Sequence, residues 1–171
     1  MAETVGGSVR MRAIAALVAC AAASLASASP VPLVNPGFES NRPGVEGAPE
    51  GWTAIQHAGE DSYDFALDSG RKMSGTQSMR IKRIGPEPYG TVMQVIDAAP
   101  LAGKTVRLSA WMRTEGIPDA GRGGAGLVLT AMRGSSILAW EFMKRARLRG
   151  TSDWQRVSIE LALPARTTRL E

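Results

Sequence analysis

Residues Thr105–Arg113 read Thr-Val-Arg-Leu-Ser-Ala-Trp-Met-Arg, and this stretch decides the fold. Val106, Leu108, Ala110 and Met112 recur at every second position, while Thr105, Arg107, Ser109, Trp111 and Arg113 fill the alternate ones. In an extended chain successive side chains point to opposite sides, so a period of two sets one apolar face on a core and one polar face outside it. Trp111 then stands outward between two arginines, the most informative local pattern in the chain.

The same period recurs on both sides of this strand. Val157, Ile159, Leu161 and Leu163 alternate with Arg156, Ser158 and Glu160 in the stretch Trp154–Leu163. Tyr63, Phe65 and Leu67 alternate with Asp64, Ala66 and Asp68, and Met79 and Ile81, expected inward, alternate with Arg80 and Lys82. Leu127–Met132 and Ile137–Met143 are two further strands, joined through Arg133-Gly134-Ser135-Ser136, which suits a hairpin turn. Thr91–Ile96 is apolar on both faces and reads as a more central strand. Leu33–Glu39 reads as a short first strand interrupted at Pro36-Gly37, and Gly51–Ala54 opens a second. Loops are expected over 40–50, 98–103, 114–126 and 144–153. No stretch carries a long helical period. Roughly nine short strands at regular spacing predict an all-β fold, an antiparallel β-sandwich or jelly roll.

A chain of 171 residues suits one domain, and 44% hydrophobic residues can supply its core. A net charge of +4 is modest for this length and does not call for nucleic acid. Arg10 and Arg12 precede an apolar run, Ala13–Ala26, and Ala26-Ser27-Ala28 follows as a small-residue cleavage site. That is the layout of a signal peptide over 1–28, ahead of a module over 31–171. The run is too short to span a membrane. Leu17-Val18-Ala19-Cys20 is also similar to a bacterial lipobox, which would place a lipid on Cys20. Both readings export the protein, to the periplasm or beyond. Cys20 is the only cysteine, so a chain cut after the leader has no disulfide and no thiolate metal site.

Several of these passages, in this order, resemble the carbohydrate-binding modules of families four, nine and twenty-two. Asn35-Pro-Gly-Phe-Glu39 followed by Gly51-Trp52 is similar to their opening. Ser74-Gly75 followed by Gln77–Ile81 is similar to their SGxxSxxI strand, and Val106–Arg113 to their xLSxWxR strand. Thr151–Trp154, with the alternating strand after it, completes the likeness over about residues 33–163. The resemblance implies a galactose-binding-like β-sandwich that is non-catalytic and attached to secreted hydrolases. Arg113–Gly116 and Arg149–Thr151 look closest to modules that precede secreted bacterial serine peptidases. The expected partners are therefore a polysaccharide or oligosaccharide, or an adjacent hydrolase domain. Family members close with one more strand carrying an acidic pair. Here the sequence reaches only Thr167–Glu171, so the sandwich is expected to lack its last strand and to leave a sheet edge open, as in a truncated fragment.

The carbohydrate-binding candidates are Trp111, Arg107, Arg113 and Trp140. An indole stacks on the apolar C–H face of a sugar, and polar neighbours meet its hydroxyls. Trp140 alternates with Leu138 and Phe142 between two mixed faces, so its direction is open, and core packing is the ordinary expectation for it. Trp52 and Trp154, at strand starts, read as core-edge residues. Glu39 is the metal candidate: the resemblance implies that it helps bind a structural calcium with carbonyls near Ser74-Gly75 and a final-strand aspartate that is missing here. Glu60, Asp61, Asp64 and Asp68 are acidic but lack EF-hand spacing, and they read as solvated surface. Lys144–Arg149 is a basic run suited to an anionic polymer or to a solvated loop, with too few aromatics for a nucleic-acid reading. Gly121–Gly126 lacks the ending of a phosphate loop. For catalysis the sequence offers one histidine, His57, with no nucleophile elbow and no HExxH motif.

Overall fold

The computed structural model describes residues 29–43, 48–57, 59–118, 123–143 and 146–171. The leader, Cys20, Lys144, Arg145 and the start of the glycine loop at 121 lie outside the described residues. The chain from Pro32 to Glu171 forms one compact unit.

Among the described residues ten strands run β1 Thr53–Gln56, β2 Tyr63–Asp68, β3 Ser78–Arg83, β4 Gly90–Met93, β5 Ile96–Asp97, β6 Thr105–Ile117, β7 Val128–Arg133, β8 Ser136–Phe142, β9 Gly150–Ala162 and β10 Arg169–Leu170. One 3-10 turn, Ala99–Leu101, separates β5 from β6. All pairings are antiparallel: β6 with β9, β1 with β4, β2 with β3, and a four-stranded sheet in the order β5-β10-β7-β8. The fold is all-β, as the alternating pattern requires.

The core lies between the β6–β9 ribbon and the four-stranded sheet. Val106, from β6, is opposite Leu161 of β9, and Leu108 and Ala110 are opposite Ile159 and Val157. All of these but Ala110 cluster with Leu129 and Ala131 of β7, Leu170 of β10, Met143 and Leu163. Full burial of each Val, Ile or Leu is worth about 1.5–3 kcal/mol, so this cluster carries most of the folding energy. Thr114 is buried, and its hydroxyl bonds that of half-buried Ser152 at 2.9 Å where β9 bulges against β6. Together they satisfy two groups that would otherwise be stranded.

The β1–β4 and β2–β3 ribbons are thinner, and none of their residues is buried. Met79 is half-buried, but Ile81, expected inward, is 42% exposed. Three other expectations are corrected. Leu33–Glu39 is not a strand. Asn35 and Phe38 sit at φ 48° and 61°, and the Phe38 N–H donates to the Asn35 carbonyl at 3.1 Å, so the Pro36-Gly37 pair sits within a tight turn. Asparagine tolerates that left-handed conformation better than most residues. Thr91–Ile96 is not one central strand, because it breaks into β4 and β5, which pair with different partners. The loop expected from Thr114 begins later, since β6 continues to Ile117.

The chain's last strand described is the two-residue β10. Arg169 and Leu170 lie between Asp97–Ile96 on one side and Met132–Ala131 on the other, and Glu171 exchanges two backbone bonds with Thr130. Among the described residues no helix is long and apolar enough to cross a membrane.

Candidate binding site

The outer face of the β6–β9 ribbon is built by the same alternation that fills the core. Because Met112 and Leu108 pack inward, Trp111 must face out, and it is 49% exposed. Arg156 of β9 sits directly opposite it. One pair away, Ser109 faces Ser158, and beyond that Arg107 faces Glu160. Arg107 Nε donates to Glu160 Oε1 at 2.6 Å, and Arg113 Nη1 donates to Glu115 Oε2 at 3.0 Å. The Arg107–Glu160 pair is well exposed, so it adds little stability, on the order of 0–1 kcal/mol, and serves mainly to hold the guanidinium in place. The result is a flat indole with hydroxyls and guanidinium groups on both flanks. Such a surface can stack against the C–H face of a pyranose and donate hydrogen bonds to its hydroxyls.

Trp140 corrects the expectation of core packing. Leu129 and Ala131 of β7 point into the core opposite Glu141 and Ala139, so Trp140 and Phe142 point the other way. Trp140 is 60% exposed and stacks on Phe142, with ring centroids 4.6 Å apart and planes 10° from parallel. The Arg147 guanidinium lies over the Phe142 ring at 5.1 Å. Stacking of this kind adds about 0.5–1.5 kcal/mol beyond area burial. Val128 and Ile137 share this outer face.

The structure therefore brings Trp111, Arg107 and Arg113 together and sets Trp140 apart. The two tryptophans stand on opposite outer faces of the two layers that enclose the core. The sequence reading missed Arg156 as the neighbour of Trp111, although its outward parity on β9 was visible. It also missed the Trp140–Phe142 stack, whose only signal was spacing at i, i+2.

Trp52 behaves as a core-edge residue: half-buried, it packs on Phe38 at 4.8 Å and donates its indole N–H to the Asn35 carbonyl at 3.0 Å. Trp154 is half-buried as well. Glu39 accepts from the Thr76 N–H at 2.9 Å and from the Thr76 hydroxyl, against a Gly75 backbone so close that a methyl group there would strike the carboxylate. The Thr76 hydroxyl and N–H hold the Glu39 carboxyl below the usual carboxylate range, with the Gln77 N–H and Lys72 adding to the effect. Calcium takes six to eight oxygen ligands. Here Glu39 is engaged by hydrogen-bond donors from Thr76, with Lys72 nearby. Among the described residues no group of three or more His, Cys, Asp or Glu converges.

The acidic group is dispersed: Asp64 pairs with Arg80 at 2.8 Å, and Asp68 accepts from the Gly70 and Arg71 N–H groups. His57 Nδ1 lies 2.8 Å from Glu87 Oε2, with Tyr89 edge-on to its ring at 5.7 Å. This histidine ties the end of β1 to the β3–β4 loop. Comparisons with protein families, curated proteins and solved structures return no match.

Proposed function

We propose that the protein is an exported, non-catalytic module that binds a polysaccharide or oligosaccharide on the outer face of the β6–β9 ribbon. The observation that carries this reading is the half-exposed Trp111 indole, set among Arg107, Arg113, Arg156 and two serine hydroxyls on a strand pair rigidified by the core behind it. A rigid aromatic plate with polar flanks binds sugar at low entropic cost. The sequence resemblance to carbohydrate-binding modules and the leader over 1–28 agree with it. Affinity electrophoresis through gels containing neutral polysaccharides tests it: retardation should be lost with Trp111→Ala. Equal retardation of both proteins removes this face from the site.

A second reading, an accessory domain packed against an adjacent hydrolase domain, is favoured by the opposite face. There Ile137 is 63% exposed beside Trp140 and Val128, and apolar residues grouped in this way mark protein contacts. Retention by a hydrolase domain expressed alongside, lost with Trp140→Ser and kept with Trp111→Ala, would support it.

A further inference from the structure

The cleft between the end of β7 and the β9–β10 turn carries two arginines without an acceptor. Arg133 and Arg166 line a shallow cleft of about 340 Å³ together with Ala99, Ala102, Ala165, Thr167 and Thr168. No carboxylate lines it. Elsewhere Arg80 is engaged by Asp64, Arg107 by Glu160, Arg113 by Glu115, Arg169 by Glu171, and Arg42 and Arg83 by backbone carbonyls, while Arg71 and Arg156 are open but do not line this cleft. Asp97, on the strand leading to Ala99, turns its carboxylate to the Ala99 N–H at 3.0 Å.

The scaffold under the two guanidinium groups is locked. The Thr167 N–H and hydroxyl both donate to the Pro164 carbonyl, at 3.0 and 2.7 Å, and Thr167 is buried. The Thr168 N–H donates to the Met132 carbonyl at 2.9 Å, fixing the turn against the residue before Arg133, while the Ala98 N–H donates to the Thr168 carbonyl at 3.0 Å. Two exposed arginines thus line one shallow cleft on a hydrogen-bonded backbone, with no carboxylate among the lining residues. Guanidinium groups bind oxyanions through paired N–H donors, and the cleft's volume leaves room for a group larger than a lone ion.

We infer that this cleft is an oxyanion site, taking a carboxylate or sulfate group carried on a glycan. For the polymer the inference rests on the carbohydrate reading, whereas for the anion it stands on the two arginines alone. The site selects acidic over neutral chains and is separate from the Trp111 face.

The test compares the full chain with Arg133→Ala/Arg166→Ala, with Trp111→Ala, and with Arg71→Ala/Lys82→Ala, which removes the same charge from elsewhere on the surface. The probes are polygalacturonate, dextran sulfate and neutral dextran. The cleft variant should lose about tenfold or more in affinity for an acidic polymer, as expected for charged hydrogen bonds, while the charge-matched control loses far less. The acidic polymer that shows the loss identifies carboxylate or sulfate as the group. Equal losses in the two double variants overturn the site, because bulk charge then explains the binding. Titration of free galacturonate and of sodium sulfate, read on the arginine Nε–H resonances, isolates the anion. Shifts confined to Arg133 and Arg166, without polymer binding, keep the oxyanion site and sink the carbohydrate reading. No shift with either probe overturns the site itself.

Discussion

Trp111 and Trp140 face away from each other across one core. Trp111 is adjacent to Met112 and Trp140 to Ala139, and both of these neighbours pack into the cluster shared by the β6–β9 ribbon and the four-stranded sheet. Neither indole can therefore assist the other at a single ligand, and each tests a different reading of the protein.

The first consequence is a separation of effects. Trp111→Ala should weaken binding to a neutral polysaccharide by about five- to tenfold, the change that ~1–1.5 kcal/mol of lost stacking produces. Trp140→Ala should leave that affinity unchanged. Because Trp111 is half-exposed, its removal should shift unfolding stability by no more than about 0.5 kcal/mol. Isothermal titration and thermal melts of the two variants check both statements. A matched loss of affinity from both substitutions would mean that the two faces are not independent.

Stability should be concentrated in one layer pair. Ile159, on β9, is 7% exposed and lies in the core cluster, whereas Ile81, on β3, is 42% exposed on a ribbon without buried residues. Ile159→Ala should cost about 2–5 kcal/mol, the range for truncating a buried aliphatic side chain. Ile81→Ala should cost less than about 1 kcal/mol. Urea melts of the two variants measure the contrast directly, and similar costs would show that the thinner ribbons carry more of the fold than their exposure implies.

The strands with one buried and one solvated face were legible because burial imprints a period of two. Thr105–Arg113 and Trp154–Leu163 gave two strands and the outward position of Trp111, but their pairing into one ribbon, 40 residues and more apart in the chain, carries no local signal. Trp140 escaped for a physical reason. Ala131 pairs with Ala139 and Met132 with Ile137, so an extra residue is inserted at Leu138. That bulge lets Ile137 and Trp140 share a face, although three residues apart they would point oppositely in a regular strand. Leu33–Glu39 escaped because its apolar residues resemble a strand, while its path is set by left-handed backbone at Asn35 and Phe38. The arginine cleft joins residues far apart in the chain, Arg133 and Arg166, and no local pattern could pair them.

Gly75 offers a test of the turn that holds Glu39. At φ +69° a side chain is strained wherever it is placed, and here an added methyl group would also meet the Glu39 carboxylate. Gly103, at φ +76°, has nothing within 4 Å of that position. Gly103→Ala should therefore cost only the backbone strain, about 1–2 kcal/mol. Gly75→Ala should cost more, and the excess should shrink in the Glu39→Ala background, where the obstructing carboxylate is gone. A double-mutant cycle by chemical denaturation reads the coupling.

The same carboxylate makes stability depend on pH in a defined direction. The Thr76 hydroxyl and N–H lower the Glu39 pKa in the folded chain below its ordinary value of 4.5. Between the two values the unfolded chain binds the proton and the folded chain does not, so stability rises with pH there. The contribution is fully present above pH 4.5 and is lost as pH falls through the lowered folded value. Glu39→Gln keeps the shape of the side chain but cannot ionise. The melting temperature of the native chain should exceed that of Glu39→Gln at neutral pH, and the gap should close as pH falls from 4.5 through the lowered folded value. A gap that stays constant across that range, or widens, would mean that the Thr76 donors do not favour the ionised carboxylate. Adding calcium at neutral pH gives a parallel check, since a cation that binds the folded state raises the midpoint. With Glu39 Oε2 engaged by both Thr76 donors and Lys72 nearby, the expected midpoint shift is small and the same in Glu39→Gln.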